Sequence, residues 1–542
     1  MKTRFTSIFP KAATMLLMML LTTATAWADG SGTPADPWIS GGCDVTLSGG
    51  TLTVSKSATG NGAMADYDSN SDWPWYSSRS SITSIVIEHG VTSIGDYAFS
   101  ECNNTNLKTV TIPASVGTIG KSAFYSCTGL TTVAIGSGVK TIGNSAFYSC
   151  TRLTSVAIGS GVETIGMYAF QNCTGLTTID IPNSVTSIGK YAFYRCTGLT
   201  TIAIGSGVKT IGNFIFNGCN NLTTITVDAG NTTFNSPAGS NAVIETKSKT
   251  LVVGCKGTTI PDNVTSIGTF AFYGCTGLMT IDIPAGVKTI VHHAFAQCTG
   301  LTTIDIPASV TSIGEYAFKT CSNLATVTLN SNPTIGEDAF YSIKEGATVT
   351  MNLTANAAGS DYWMTFYNKN YGFTADANTT TIYKGAVNGT SVCLTAVADI
   401  PAGNAAILKS SESPIVLTLT TTASGDFTDN DLKGTDADTD ASGMTYAYCL
   451  SNGTNGVGFY KYTGNGVNKI IPANRAYLII AGSSGASQFF GFDETTGVDS
   501  LTPDSPGLSQ GEGSEYFNLN GQRVAEPTKG IYIVNGKKVI VK

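Results

Sequence analysis

The chain has 542 residues, of which only 12% are charged, against about 25% in typical proteins. Its 30 basic and 37 acidic residues give a net charge of −7, which argues against nucleic acid and anionic membrane surfaces as partners. With three histidines and so few charges, the chain offers little material for acid–base catalysis.

The N-terminus carries the pattern of a secretory signal peptide over residues 1–28. Three basic residues precede the apolar run 12–21, and Ala26 and Ala28 fit an A-x-A cleavage site. Removing the three basic residues of this segment leaves 27 basic and 37 acidic residues, a net charge of −10. No cysteine follows the site to carry a lipid anchor, and no later run of about 18 apolar residues predicts a transmembrane helix. We expect Sec export, to the outer cell surface or as a secreted protein.

Residues 29–81 contain Trp38, Trp73 and Trp75 beside the strand-like string VTLSGGTLTV. A repeat array leaves the core of its first coil open, so a covering segment is needed there. We predict that these residues form an N-terminal cap. A tryptophan-lined sugar site is the alternative interpretation.

A 23-residue period runs through residues 82–343. Each copy ends with a phenylalanine three residues before a cysteine. The copies end at Phe99/Cys102, Phe124/Cys127, Phe147/Cys150, Phe170/Cys173, Phe193/Cys196, Phe216/Cys219, Phe272/Cys275, Phe295/Cys298 and Phe318/Cys321, and Phe340 follows without a cysteine. A fixed period of this length is typical of a solenoid, in which each unit buries its apolar side against the next. The long surface that results is suited to binding.

One copy shows how the unit folds. Leu176, Ile179 and Ile181 form the inward set of a short strand, which Pro182 ends because proline cannot donate to a strand ladder. Gly189 then permits a sharp turn before the chain returns. The predicted fold class is mainly β: a solenoid over 82–343, a β-sandwich domain and a small C-terminal β module.

The recurring string LTTIxIPxSVTSIGxxAFxxCTG resembles the 23-residue leucine-rich repeats of BspA-like surface proteins of Bacteroidetes type. The match covers about half of the chain. The strings GAMADY and PWY also resemble the segment that often precedes such repeats. The resemblance implies a leucine-rich repeat solenoid at the bacterial surface, with binding of matrix proteins and coaggregation as its activity.

The repeated cysteines form a column along the solenoid. Stacked coils lie about 4.8 Å apart, and equivalent side chains keep that spacing between their Cβ atoms, beyond the roughly 3.5–4.5 Å of a disulfide. Zinc needs ligands that converge on one point, which a column along an axis does not provide. We therefore expect buried, unbridged thiols that donate hydrogen bonds to turn carbonyls, and no metal or cofactor.

Two outward columns of small residues alternate with the buried valines and isoleucines of the first strand. On the predicted concave sheet they give a candidate binding face: Thr132, Ser155, Thr178, Asp180, Thr201, Thr224, Thr280, Asp282, Thr303 and Asp305. Such residues are good sheet formers in their own right. The functional interpretation is an ordered hydroxyl surface for a protein or glycan, although no Trp, Tyr or Arg cluster marks a hot spot there.

The period is interrupted between Cys219 and Cys275. Residues 228–258 predict an enlarged coil that carries a β-hairpin, with strands at 242–246 and 250–254 and a turn at 247–249. Such insertions are common in the family that the repeats resemble. Cys255 lies off the cysteine column.

Residues 344–495 contain many short alternating stretches separated by turn residues, which predicts a β-sandwich. Similar domains are appended to secreted proteins of Bacteroidetes. Asp436, Asp438 and Asp440 match the start of a calcium loop, but the glycine and glutamate that complete one are missing. A solvated acidic loop is the preferred interpretation.

Residues 496–514 are rich in Pro, Gly and Ser and predict a linker. In the tail 515–542, two Asn-Gly pairs favour hairpin turns between apolar runs. The pieces NLNG, GIYIV and the terminal VIV resemble the C-terminal sorting domain of the type IX secretion system. That resemblance implies the secretion machinery as a partner.

The sequence lacks the HExxH, CxxC and P-loop strings. Three functions remain open: a protein-binding adhesin, a surface glycan-binding protein and, least favoured, an enzyme within 344–495. We expect extracellular proteins or glycans as partners and no nucleic acid.

Overall fold

The structure is a computed structural model. It describes residues 30–494, apart from 70, 359, 389–390, 421, 436–438, 441–446, 454–455, 462–469, 472–473 and 480–488, together with the strands at 516–517, 523–524, 530–534 and 537–541. The predicted signal peptide 1–28 and linker 496–514 lie outside these residues. The chain divides into two compact units, residues 1–349 and 350–542.

Most coils of the first unit contribute a longer strand and then a two-residue strand. The longer strands are Ser84–Ile87, Thr109–Ile112, Thr132–Ile135, Ser155–Ala157, Thr178–Ile181, Thr201–Ile204, Thr224–Val227, Thr303–Ile306 and Thr326–Leu329. The two-residue strands are Ser93–Ile94, Thr118–Ile119, Thr141–Ile142, Thr164–Ile165, Ser187–Ile188, Thr210–Ile211, Ser266–Ile267, Thr289–Ile290, Ser312–Ile313 and Thr334–Ile335. Neighbouring coils pair in parallel and in register, so that Thr178 lies opposite Thr201.

The N-terminal residues form antiparallel strands at Trp38–Ser40, Cys43–Ser48 and Thr51–Lys56 and a short 3₁₀ helix at Tyr76–Ser78. The strand Thr51–Lys56 pairs in parallel with the first strand of the solenoid. Trp75 is fully buried, its ring centroid lies 6.4 Å from that of Phe99, and its Nε1 donates to the Ala98 carbonyl at 3.0 Å. Because Trp73 is buried as well, neither ring offers a face to a sugar.

The phenylalanines of successive coils stack on one another inside the solenoid. In the first run, from Phe99 to Phe216, neighbouring ring centroids lie 5.1–6.0 Å apart. A second run from Phe272 to Phe340 has separations of 4.9–5.5 Å. Eight of these ten rings are completely buried, at relative exposures of 0–1%, among them Phe193. The core is thus a column of rings along the solenoid axis.

The turn after each short strand depends on non-glycine residues in the left-handed region. In one coil these are Tyr191 (φ 58°) and Arg195 (φ 55°), and equivalent residues recur along the array. Gly189 has another role: a Cβ there would lie 2.5 Å from the backbone nitrogen of Met167 in the preceding coil. This glycine therefore allows close stacking of backbones, where the sequence suggested a sharp turn.

The interruption adds the strands Phe234–Asn235, Val243–Glu245 and Thr250–Val253, of which the last two form an antiparallel hairpin. Thr250–Val253 also pairs in parallel with the following strand, Ser266–Ile267, so the hairpin joins the sheet of two-residue strands.

The next coil departs from the prediction, because Thr280 and Asp282 are exposed but lie outside any strand. The coil before them is short. Only residues 255–259 separate Gly254 from Ile260, whereas residues 171–180 separate Phe170 from Ile181. The sheet of longer strands is thus broken between Thr224–Val227 and Thr303–Ile306.

The second unit consists of sheets. One places Thr348–Leu353, Ile415–Thr420, Gly372–Ala375 and Asp399–Ile400 side by side in that order. A ten-stranded sheet has the order Asn356–Ala358, Asp361–Tyr367, Ala405–Ser410, Thr380–Asn388, Ser391–Val397, Phe489–Glu494, Gly456–Lys461, Ala447–Gly453, Arg475–Ile479 and Leu432–Thr435. Thr439–Asp440 pairs with Ile470–Ile471, while Asp436 and Asp438 of the acidic string lie outside the described residues.

The tail forms a four-stranded sheet in the order Arg523–Val524, Tyr516–Phe517, Gly530–Val534 and Lys537–Val541. All of its pairs are antiparallel. The pairing of Val534 with Lys537 leaves two residues between the last two strands, as in a tight hairpin.

Candidate binding surface

The structure places most of the predicted binding residues on the solvent side of the longer strands. We call this set the threonine face: Thr132, Ser155, Thr178, Asp180, Thr201, Thr224, Thr303 and Asp305. Its members are exposed or half-buried, whereas the residues that alternate with them, such as Ile179, are buried. Thr280 and Asp282 are exposed but lie outside this sheet. The face consists of three runs of paired strands.

The hydroxyls of the threonine face differ from those of the threonines one position earlier in each coil. Thr154 Oγ1 donates to the Thr131 carbonyl at 3.0 Å, and Thr200 Oγ1 donates to the Thr177 carbonyl at 3.1 Å. These earlier hydroxyls connect one coil to the next. By contrast, among the described residues the following hydroxyls make no side-chain hydrogen bond within the protein: Thr132, Ser155, Thr178, Thr201 and Thr303. Their donors and acceptors are available to a ligand.

Charge on the threonine face is acidic. Asp180 and Asp305 both lie on it with exposed side chains. Asp305 accepts a hydrogen bond from the Asn330 side-chain amide, while Asp180 lies opposite Ala203 of the next strand. Repeated hydroxyls with scattered carboxylates suit a polar partner that carries basic groups.

The cysteine column is a ladder of unbridged thiols, which are buried as predicted except for the half-buried Cys275. Seven of these thiols each donate to the phenylalanine carbonyl of the preceding coil at 3.0–3.2 Å. The donors are Cys127, Cys150, Cys173, Cys196, Cys219, Cys298 and Cys321. Burial raises the pKa of the Cys150 thiol from 9.0 to about 12 and that of Cys173 well above its usual value. Such thiols stay protonated, so they serve the core and not a reaction.

The family model of the BspA type leucine-rich repeat region matches residues 75–166, 140–250 and 252–370, more than half of the chain. The chain belongs to the BspA type leucine-rich repeat family. The 23-residue period, the stacked phenylalanines and the thiol ladder are therefore properties of a BspA type solenoid. None of the curated protein sequences compared with the chain matches it.

Solved structures with a similar chain include two bacterial repeat proteins. A leucine-rich repeat protein from Eubacterium ventriosum is 27% identical, with a TM-score of 0.41, over 57% of this chain and 74% of its own. A leucine rich cell surface protein from Faecalibacterium prausnitzii is 24% identical, with a TM-score of 0.35, over 60% of this chain and 97% of its own.

An aromatic stripe, which the sequence analysis did not predict, runs along the turns of the BspA type coils. Its half-buried rings are Tyr168, Tyr191, Phe214, Phe270, His293 and Tyr316. Tyr191 stacks on Tyr168 at 5.1 Å and on Phe214 at 4.9 Å between centroids. Since the faces of these rings cover one another, mainly their edges meet solvent. The period itself was the signal that could have revealed the stripe, because these residues repeat at the left-handed turn position.

Two further observations concern chemistry in the described residues. No group of three or more His, Cys, Asp or Glu side chains there could hold a metal ion, and no helix there is long and apolar enough to cross a membrane. His293 lies in the aromatic stripe, 5.0 Å from the Tyr316 ring centroid. Burial, together with His292 and Lys319, lowers its pKa.

Proposed function

We propose that this protein is a secreted or cell-surface binding protein without catalytic activity, and that the threonine face contacts an extracellular protein. The observation that carries this proposal is the set of threonine-face hydroxyls that make no side-chain hydrogen bond to any other described residue. The parallel ladder holds them in register at about 4.8 Å between strands, so they need no ordering on binding.

The carboxylates of the face favour one class of partner. Asp180 and Asp305 are exposed, and a basic patch on the partner would pair with them. Exposed ion pairs contribute little affinity each, but they steer the encounter and select the partner. Matrix proteins of host tissue are therefore the first partners to test.

The test is a solid-phase assay of the chain without residues 1–28 against immobilised fibronectin and fibrinogen. We expect saturable binding to at least one of them, weakened about fivefold or more by Asp180→Arg because the substitution opposes a basic patch. Asp262→Arg is the matched control, since Asp262 is exposed in a turn away from the threonine face. Absence of saturable binding, or equal loss in both variants, would contradict the proposal.

Glycan binding is the alternative, and a glycan array separates it from protein binding. The aromatic stripe gives little support to glycan binding, because the stacked rings leave few open faces for sugars. Binding to one glycan class on the array, with no binding to the proteins, would replace the proposal above.

We also propose that residues 515–542 are a sorting signal for the type IX secretion machinery. The Sec signal carries the chain only across the inner membrane, so a surface protein needs a second address. The four-stranded tail sheet supplies a folded element for recognition.

Deleting residues 515–542 in the native host is expected to leave the protein in the periplasm, as measured by fractionation and surface labelling. Deleting residues 502–514 of the predicted linker serves as the control and should preserve surface display. Normal display of the chain without its tail would contradict the sorting role.

We further propose that the two large sheets of the second unit pack as a β-sandwich. Phe366 of the ten-stranded sheet contacts Phe373 of the sheet that contains Ile415–Thr420, with ring centroids 5.2 Å apart and nearly perpendicular planes. Both rings are fully buried, as expected for residues between two sheets.

A further inference from the structure

The phenylalanine column lacks one ring at the hairpin coil. In regular coils the phenylalanine nitrogen donates to an alanine carbonyl of the next coil, as from Phe272 to Ala294 at 2.8 Å. In the hairpin coil Gly254 makes the equivalent bond, to the Ala271 carbonyl at 2.8 Å. Gly254 therefore occupies the position that phenylalanine occupies in the regular coils.

The fold does not allow that place to be filled from within. A Cβ built on Gly254 would lie 2.1 Å from the Phe272 ring, so a larger residue would clash. Moreover, the short coil has no aromatic residue between Gly254 and Pro261 that could take this place. The missing ring is thus a consequence of the shortened coil.

A cavity of about 390 Å³ lies at this break. That volume falls in the roughly 300–1,000 Å³ range of small-molecule sites. Aromatic and aliphatic side chains dominate its wall, including Phe214, Phe216, Leu222, Phe234, Phe270 and Phe272. Lys209 and Asn213, both exposed, and the half-buried Glu245 line the part that opens to solvent.

The thiol ladder is interrupted at the same place. Cys219 and Cys298, on either side of the break, donate to phenylalanine carbonyls at 3.0 Å. Among the described residues, Cys275 makes no such bond to a carbonyl, and it is half-buried on the cavity wall. Both internal columns of the solenoid are therefore open to the cavity.

We propose that this cavity binds a small, flat aromatic molecule with one polar group. Its walls are aromatic on both sides of the break, which favours a planar ring that can stack against them. Lys209, Glu245 and Asn213 at the opening would face the polar group. This site goes beyond the proposed function, since it lies between coils and not on the threonine face.

Calorimetric titration of the chain without residues 1–28 tests the proposal, with indole as the probe. Cyclooctanol, which has the same number of non-hydrogen atoms but no flat ring, is the control ligand. We expect saturable binding of indole and at least about tenfold weaker binding of cyclooctanol. No binding of indole, or equal binding of both, would overturn the proposal.

Val252→Phe locates the site, because Val252 is a half-buried residue of the cavity wall. The larger side chain should occupy the cavity and weaken indole binding at least about tenfold. Val86→Phe makes the same change on the exposed side of a strand in the first coil and should leave binding unchanged. Undiminished binding to folded Val252→Phe, or equal loss in both variants, would overturn the assignment.

A second measurement avoids any variant. Cys275 is half-buried, whereas the hydrogen-bonded thiols of the ladder are buried, so iodoacetamide should modify Cys275 first among the ladder thiols. Saturating indole should slow that modification at least about fivefold by filling the cavity, as followed by mass spectrometry. An unchanged rate at saturation would show that indole binds elsewhere and would overturn the proposal.

Discussion

Raising the pH from 9 towards 12 is expected to unfold the BspA type solenoid cooperatively. The reason is the thiol ladder, whose members are protonated in the core and have pKa values raised by burial, as for Cys150 at about 12 and Cys173 well above 9. In the unfolded chain the same thiols ionise near their ordinary value. The stability that they contribute is therefore fully present below pH 9 and is lost as the pH rises towards the folded pKa.

The size of this effect follows from the number of thiols. Each contributes a loss of about 1.4 kcal/mol per pH unit above the unfolded pKa, so the seven hydrogen-bonded thiols together approach 10 kcal/mol per unit. Ordinary stabilities are about 5–15 kcal/mol. A rise of about one to two pH units above the unfolded pKa of the thiols should therefore be enough to unfold the solenoid.

Circular dichroism between pH 7 and 12, with a reductant present, measures the transition. The matched variant replaces Cys150, Cys173 and Cys196 with alanine. This variant should be less stable at pH 7. Above pH 9, however, its free energy of unfolding should fall less steeply with pH, by about 4 kcal/mol per pH unit for the three missing thiols. Tyrosines ionise in both proteins, so the difference isolates the thiols. Equal slopes in the two proteins would contradict this account.

Replacing Phe193 with alanine is expected to cost about 3–5 kcal/mol of local stability, because it opens a cavity in a stacked core. Phe193 is fully buried, and its ring centroid lies 5.5 Å from that of Phe170 and 6.0 Å from that of Phe216. Coupling in a solenoid runs mainly between neighbouring coils, so the loss should be concentrated near the middle of the array.

Limited proteolysis and hydrogen exchange measure that loss. We expect new cleavage and faster exchange in the coils on either side of Phe193. Tyr194→Ala is the control, since Tyr194 is the adjacent residue but its half-exposed ring packs edge-on against Tyr191 at the surface. A cleavage pattern that is the same for both variants would show that Phe193 is not a core residue.

The repeat allowed the core to be predicted residue by residue. Phe193 and Cys173 recur at fixed positions beside isoleucines at period two, and such a pattern has one physical solution, a stack of coils. Donation of the thiol hydrogen bonds to turn carbonyls was also predicted, whereas their direction towards the preceding coil was not. The solvent side of Thr178 followed from alternation along its strand.

The interruption could not be predicted in the same way. The position of Gly254 depends on which backbone groups the hairpin pairs with. That pairing is set by tertiary structure, and the sequence period does not predict it. For the same reason Thr280 was assigned to the sheet, although the coil beside it is too short to offer a strand. The cavity arises from residues far apart in sequence, such as Phe216 and Phe272.

The in-register pairing of coils has a consequence for how such genes can change. Hydrogen bonds between regular coils join residues about one period apart, such as Thr154 with Thr131 and Cys196 with Phe170, so each coil bonds to its immediate neighbour. Excision of residues 155–177 would bring Thr178 beside Thr132, a threonine beside a threonine, with every buried column continued. Recombination between copies of the repeat can therefore lengthen or shorten the array by whole coils. The hairpin coil would still separate the coils before it from those after it.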